Sequence, residues 1–149
     1  MHIGIGNDHV AVDMKLLIKS YLESKGHTVT DFGTAARDKA NYPIYGARVA
    51  RAVAAGKVDC GIVICGTGIG IGLAANRVKG IRCATCSDPY SARMAKEHNN
   101  CNMLAFGARV VGSEVAKMLV DEWLDSTYEE RHQCRLDLLE KLTNGEEIE

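Results

Sequence analysis

The sequence has no excess of charge of either sign: 18 lysines and arginines stand against 19 aspartates and glutamates, which gives a formal net charge of −1. The basic residues are spread along the chain, so they create no field that would attract nucleic acid or an anionic membrane surface. No apolar run approaches the roughly eighteen residues that a membrane-spanning helix needs. A nucleic-acid partner and a membrane location are therefore not expected, and a small anion remains possible as a ligand of a few converging arginines.

Export signals, linkers and repeats are also missing. The chain begins with MHIGIGND, which is typical of a strand and not of a basic segment followed by a long apolar stretch, so a cytoplasmic location is the default expectation. Nothing divides residues 1–149, which predicts one domain, and this length can bury a core without disulfides. The six cysteines are therefore expected to be free thiols in a reducing compartment.

Short apolar runs alternate with longer amphipathic stretches along the chain, which predicts strands that alternate with helices. The predicted strands are residues 2–6, 27–32, 60–65, 81–86 and 102–106, and the predicted helices are 10–25, 43–55, 69–77, 88–98, 113–125 and a C-terminal helix at about 129–143. This order favours an α/β fold, a doubly wound three-layer sandwich with a five-stranded parallel sheet. The Rossmann-like or flavodoxin-like strand order 2-1-3-4-5 is expected.

In that order the winding reverses between the first and third strands, and ligands bind above the carboxyl ends of these two strands. The first strand ends at Asp8 and His9, and the third ends at Cys65, followed by the glycine-rich segment GTGIGIG. Topology alone therefore predicts that these two segments meet in one crevice.

The glycine-rich segment matches neither common nucleotide motif. It lacks the GK[ST] of a Walker loop, and Ile71 and Leu73 occupy the positions of the third glycine in the dinucleotide motif. Its glycines still allow backbone amides to approach a ligand closely, and they precede a helix whose N-terminus favours negative charge. We therefore predict an anion site, either for a phosphate or for an oxyanion that forms during a reaction.

Cys65 lies at the edge of this predicted anion site. Aligned N–H dipoles favour a thiolate, which can act as a base or as a nucleophile. A cysteine in an apolar strand is more often a small buried hydrophobe, but the position at the switch point favours a chemical role here. Cys83 and Cys86 face differently from a redox pair at a helix start, and no second pair completes a zinc site, so no metal is expected.

Other polar residues carry weaker signals. His98 ends the helix after the fourth strand, where a histidine is often only a favourable charge at a helix C-terminus. Arg131 and Arg135 are one helical turn apart and can grip one phosphate together. They can equally belong, with His132 and Arg109, to a solvated face, and the residues alone leave both interpretations open.

Several of these segments together resemble the type B ribose-5-phosphate isomerases. The resemblance is carried by Asp8-His9, CGTGIG followed by AAN at 74–76, EHNN, FGARVVG and RHQCR, and it runs from Met1 to about Leu139. It implies aldose–ketose isomerisation of a sugar phosphate, as in pentose phosphate metabolism, through a cis-enediolate and without metal or organic cofactor. The same superfamily includes allose-6-phosphate and galactose-6-phosphate isomerases. Ribose 5-phosphate is therefore the expected substrate, and a six-carbon aldose 6-phosphate is the alternative.

The resemblance also implies a role for each matching residue. Cys65 is the base that moves a proton between C1 and C2, and Thr67 orients or relays at the sugar oxygens. His98 is the acid that opens the furanose ring, with Asp8 as its partner. The implied ligand contacts are the amides of Gly66, Thr67, Gly68, Ile69 and Gly70 for the enediolate oxygen, Asn99 and Arg109 for the ligand, and His9, Arg131 and Arg135 for the phosphate.

Two residues depart from the family pattern. Many members carry Asp where this chain has Asn41, and a glycine is usual where it has Ala11. Either change is expected to alter the rim of the pocket and so the preferred sugar.

The position of His98 predicts an oligomer. The helix after the fourth strand runs back toward the amino edge of the sheet, so His98 should lie far from Cys65 of the same subunit. Because one sugar needs both residues, we expect a homodimer in which His98 and Asn99 complete the site of the partner, with a tetramer as the alternative assembly. The competing class is a non-catalytic module that binds a phosphorylated ligand and in which Cys65 is structural.

Overall fold

The computed structural model describes residues 1–149, and it contains one parallel sheet with helices packed on both faces. The strands are β1 (His2–Asn7), β2 (Thr28–Asp31), β3 (Cys60–Cys65), β4 (Cys83–Thr85) and β5 (Met103–Gly107). The helices are α1 (Val12–Ser24), α2 (Tyr42–Ala54), α3 (Ile69–Ala75), α4 (Pro89–Glu97), α5 (Ser113–Asp125) and α6 (Gln133–Thr143). Short 3-10 turns at His9–Ala11 and Glu130–His132 precede α1 and α6. The expected α/β doubly wound class is confirmed.

None of these helices combines the length and the apolar content that a membrane crossing requires.

The strand order is β2-β1-β3-β5-β4, so the expected order 2-1-3-4-5 is corrected at one edge of the sheet. β5 is buried at all five positions and pairs with β3. β4 has three residues, none of them fully buried, and pairs only with β5. An interior strand is covered on both faces and needs apolar residues throughout, whereas a short and partly polar strand fits an edge. The switch point between β1 and β3 is unaffected.

The exchange of the last two strands decides where α4 lies. The chain moves outward from β3 to β4 through α3 and then back inward to β5 through α4. Because parallel crossovers are right-handed, this reversal places α3 and α4 on opposite faces of the sheet. Accordingly, Ile71 of α3 belongs to one hydrophobic core, together with Val49 of α2, whereas Ala92 of α4 belongs to the other, together with Ile18 of α1 and Trp123 of α5.

Asn7 organises the carboxyl end of β1. Its buried side chain donates hydrogen bonds to the carbonyl oxygens of Asp8 (2.8 Å) and Thr34 (3.0 Å), and its Oδ1 accepts one from the Thr34 N–H (3.1 Å). Gly33 passes so close that a Cβ added to it would overlap Asn7 Oδ1. Glycine is required here for space, since its φ lies outside the left-handed region.

Gly33→Ala is therefore expected to lower the free energy of unfolding by about 2–4 kcal/mol, because the methyl group displaces the Asn7 side chain and breaks its buried hydrogen bonds. Gly112→Ala is the control, since a Cβ there meets nothing within 4 Å. Gly112 precedes α5 as its N-cap, so its replacement should cost no more than about 1 kcal/mol. Urea unfolding measures both changes, and equal losses in the two variants would contradict the role assigned to Gly33.

Candidate active site

Cys65 ends β3 beside the end of β1, at the switch point that the sequence indicated. Its side chain is buried, and its Sγ accepts a hydrogen bond from the Gly68 N–H at 3.1 Å. The chain turns back sharply to make this bond: Gly68 has a φ of +80°, and a Cβ on it would lie 2.6 Å from the Phe106 backbone. The sulfur therefore has a backbone donor within hydrogen-bond distance at the switch point.

The other buried cysteines have a different environment. Burial raises the pKa of the Cys60 thiol to about 12 and the pKa values of Cys86 and Cys101 to about 11. Burial also raises the pKa of Cys83. Such thiols stay protonated and unreactive at neutral pH. Among the six free cysteines, only Cys65 accepts a backbone hydrogen bond at its sulfur, so it is the thiol best suited to proton transfer.

The loop after Cys65 offers unpaired donors. The N–H groups of Gly66, Thr67 and Gly70 donate to no protein atom. Thr67 is exposed, and its Oγ1 accepts a hydrogen bond from the Ile69 N–H at 3.2 Å, which fixes the start of α3. Unpaired backbone donors next to a thiol are the arrangement that stabilises an oxyanion.

Three further predicted residues lie at this same edge of the sheet. The Asp8 N–H donates to the Ile64 carbonyl at 3.2 Å, which ties Asp8 to β3, and its buried carboxylate accepts a hydrogen bond from the Val10 N–H. His9 is half-buried, with its Nδ1 3.3 Å from both the N and the O of Ala40. The exposed Arg109 approaches Gly66: its Cδ lies 3.7 Å from the position that a Gly66 Cβ would take.

Tyr42 also belongs to this edge and was not foreseen. Its ring lies 2.8 Å from the position that a Cβ of Gly70 would take. A tyrosine at the first position of α2 is indistinguishable by sequence from one on a solvent-facing helix end, and only the packing of α2 against α3 reveals the contact.

His98 and Asn99 lie at the opposite edge of the sheet. They follow α4 and precede β5, whose last residue, Gly107, pairs with Cys65. The length of β5 alone therefore separates the two groups by about 13 Å, at roughly 3.3 Å per residue. Within one chain, the fold does not bring His98 or Asn99 to Cys65, in agreement with the topological argument.

Arg131 and Arg135 join His98 at the amino edge through Glu129, which the sequence analysis did not single out, and through His132, which it named only with a solvated face. The Glu129 N–H donates to the Glu97 carbonyl at 2.8 Å, which attaches the segment before α6 to the end of α4. The rings of His98 and His132 have centroids 4.3 Å apart.

These five side chains form a connected group. Arg131 donates to Glu129 Oε2 at 2.6 Å, and this hydrogen bond holds the pKa of Glu129 below its usual value. Arg135 Nη1 lies 2.9 Å from His132 Nδ1. His132 is only 4% exposed, so assigning it to a solvated face is wrong. Its burial has no periodic signal, because part of its cover is the ring of His98, which is distant in sequence.

His98, Glu129 and His132 have the composition of a metal site, since their ligand atoms lie within 4.8 Å of one another. The tautomer of His132 argues against this use. An arginine can only donate, so Nδ1 of His132 is the acceptor and its Nε2 carries the proton, which leaves no lone pair for a metal. Desolvation, followed by the charges of Arg131, His98 and Arg135, lowers the pKa of His132. Surroundings this rich in positive charge suit an anion better than a cation.

Comparison with known proteins shows the family to which the chain is related. Residues 3–139 match the family described as Ribose/Galactose Isomerase. The chain is 51% identical to ribose-5-phosphate isomerase B of Escherichia coli (strain K12), covering 92% of this chain and 93% of the relative. It is 46% identical to galactose-6-phosphate isomerase subunit LacB of Clostridium acetobutylicum (86% and 74% covered) and 45% identical to D-erythrulose-4-phosphate isomerase of Pectobacterium atrosepticum (87% and 86% covered).

Solved structures agree. Clostridium thermocellum ribose-5-phosphate isomerase B superposes with a TM-score of 0.95 at 46% identity, covering 97% of this chain and 99% of that one. Trypanosoma brucei type B ribose 5-phosphate isomerase superposes with a TM-score of 0.91 at 36% identity, covering 95% and 97%. The resemblance inferred from the sequence motifs is confirmed, and the chain belongs to the Ribose/Galactose Isomerase family.

Proposed function

We propose that the protein interconverts ribose 5-phosphate and ribulose 5-phosphate in the cytoplasm through a cis-enediolate. The observation that carries the proposal is the hydrogen bond from the Gly68 N–H to Cys65 Sγ, next to the unpaired N–H groups of the same loop. This combination supplies a base and an oxyanion site at one point. The high identity to a relative named ribose-5-phosphate isomerase B supports the choice of sugar.

Proton transfer is assigned to Cys65. Its thiolate removes the C2 proton of the open-chain aldose, and the electron pair of that C–H bond forms the C1–C2 double bond while the carbonyl oxygen becomes an oxyanion. The N–H groups of Gly66, Thr67 and Gly70 stabilise that negative charge. Thr67 orients the two sugar oxygens and relays a proton between them. Return of the proton from Cys65 to C1 gives the ketose and restores the thiolate.

Ring opening and phosphate binding are assigned to both edges of the sheet. Asp8 accepts the O1 proton, the bond between C1 and the ring oxygen breaks, and His98 protonates that oxygen. His9, Arg131 and Arg135 bind the phosphate, while Asn99 and Arg109 contact the sugar. Binding of the non-reacting phosphate supplies energy to orient the reacting carbons.

In a homodimer, residues from the two edges of the sheet can meet in one site although they lie far apart within one chain. Four apolar side chains, Tyr42, Ile44, Ile69 and Leu73, are exposed next to the Cys65 loop. At the other edge, Asn99 lines a groove of about 720 Å³, whose apolar side chains come from α6, from β4 and the segment before it, and from Cys101. In a two-fold dimer, the apolar patch of each subunit would contact the groove of its partner. The two contacts are equivalent, and together they bury both patches and both grooves. A tetramer of two such dimers stays a prediction.

A six-carbon aldose 6-phosphate is the second candidate substrate, supported by the relative named as a galactose-6-phosphate isomerase subunit. Asn41 lies between Ala40, which contacts His9, and Tyr42, which contacts Gly70, so it is placed to adjust the rim. Ala11 is fully buried, so it does not line the rim itself, and its effect on the preferred sugar stays a prediction.

Purified protein is expected to convert ribose 5-phosphate to ribulose 5-phosphate, and Cys65→Ala should lower kcat by about 10²–10⁴-fold, the usual worth of a positioned base. Cys60→Ala is the matched control, because Cys60 is a buried cysteine at the opposite end of the same strand. Both variants should lose a similar, modest amount of stability, and Cys60→Ala should keep its turnover. Substantial turnover by Cys65→Ala would show that Cys65 is not the base. Ligand binding without turnover of any pentose or hexose phosphate would favour the binding module.

The shared site is tested by mixing inactive Cys65→Ala and inactive His98→Ala proteins under conditions that exchange subunits. In a mixed dimer, one site carries both defects and the other carries neither. Random pairing of equal amounts should therefore restore about one quarter of wild-type activity. Native mass spectrometry of differently tagged subunits verifies exchange. If the mixture exchanges and stays inactive, His98 serves its own subunit.

A further inference from the structure

His132 is a buried titratable group to which the reaction above gives no task. Its ring lies against that of His98, with centroids 4.3 Å apart and planes inclined by 39°. His98 itself is half-buried, and the contact with His132 accounts for part of that burial. His132 therefore limits the positions that the His98 ring can take.

One nitrogen of the His132 ring is hydrogen-bonded, and the other lies beside a carboxylate at more than hydrogen-bond distance. Arg135 Nη1 donates to its Nδ1 at 2.9 Å, which assigns the proton to Nε2. Nε2 is buried and has no hydrogen-bond partner within 3.5 Å, and Glu129 Oε2 lies 3.6 Å from it. A donor on one side and a carboxylate on the other define one orientation of the ring, because a flip would put Cδ2 in the place of Nδ1 and leave the Arg135 N–H without its acceptor.

We propose that His132 is a positioning residue for His98: the plane of its buried imidazole, set by Arg135 and Glu129, is the surface that holds His98 in the orientation needed for ring opening. This inference rests on the proposed function of His98. His132 does not touch the sugar. Arg135, assigned above to the phosphate, thereby also connects phosphate binding to the orientation of the ring-opening acid.

The backbone around His98 cannot supply this orientation alone. His98 is the C-terminal cap of α4, and Asn100, two residues later, has a φ of +43°. Arg82 fixes the path of this turn by donating to the carbonyls of Asn99 and Asn100 at 2.9–3.2 Å. Neither feature restrains the two side-chain torsions of His98. A misplacement of about 1 Å can cost a reaction about 10²-fold, so an imidazole acid needs a side-chain support such as His132.

The test compares two substitutions. His132→Asn keeps a hydrogen-bond acceptor for Arg135 but removes the ring, whereas His132→Phe keeps a ring and loses both nitrogens. We expect His132→Asn to lower kcat for ribose 5-phosphate by about 10–100-fold with little change in KM, and His132→Phe to stay within about fivefold of wild type. Size-exclusion chromatography and circular dichroism establish that both variants keep the native assembly and fold.

Reactions that need no ring opening distinguish the proposed positioning role of His132 from a merely structural one. Exchange of deuterium from solvent into C1 of ribulose 5-phosphate requires Cys65 and its loop but no ring opening, and an aldotetrose 4-phosphate has no free hydroxyl with which to close a furanose. His132→Asn should keep both activities, whereas Cys65→Ala should lose both. If His132→Asn loses these activities in proportion to ribose 5-phosphate turnover, or keeps that turnover, the positioning role is overturned. Equal losses in the Asn and Phe variants also overturn it.

A measurement without substrate completes the test. The ring current of His132 should shift the NMR signals of the His98 ring protons, and these shifts should persist in His132→Phe and vanish in His132→Asn. Unchanged shifts in His132→Asn overturn the inference even if the protein has no isomerase activity. Absence of activity in the wild-type protein would instead contradict the proposed function and leave the ring contact to be judged by these shifts.

Discussion

The contact between two backbone segments, at 66–68 and 106–107, is the constraint on which the site depends. A Cβ on Gly107 would lie 2.6 Å from Thr67 Cα, and a Cβ on Gly68 would lie 2.6 Å from the Phe106 carbonyl carbon. Side chains at either glycine would force the segments apart. Their close approach lets the loop turn back over the end of β3, so that the Gly68 N–H reaches Cys65 Sγ. The two glycines are therefore needed for this close packing, and the hydrogen bond from the Gly68 N–H to the sulfur is a consequence of it.

The parallel sheet then imposes a division of the chemistry. All carboxyl ends lie at one edge, so the Cys65 loop, Asp8 and His9 are neighbours. Residues that follow a helix of the same sheet lie at the other edge, and this applies to His98 after α4. No loop rearrangement closes a gap set by the length of β5. A site that needs residues from both edges must therefore be assembled from two copies of the chain.

Local patterns predicted the elements well because their causes are local. The limits of β3 and α5 coincide with the expected ranges 60–65 and 113–125. The order of β4 and β5 was not predictable from periodicity, since it depends on a comparison: MLAFG fills an interior position better than CAT does. The burial of His132 and the contact between Tyr42 and Gly70 depend on segments that are distant in sequence, so no window of neighbouring residues could indicate them.

The two edges also differ in how they handle charge. At the carboxyl edge, neutral backbone dipoles face the sulfur, which suits a negative charge that appears only during proton transfer. At the amino edge, Arg131 is already paired with Glu129, and Arg135 donates to the neutral imidazole of His132. Arg135 is therefore the arginine of this pair without a carboxylate partner, and it is the one that contacts His132. Under the proposed function, a phosphate bound at Arg135 would be connected through His132 to His98, whereas the charge that forms on the sugar would be stabilised by backbone N–H groups.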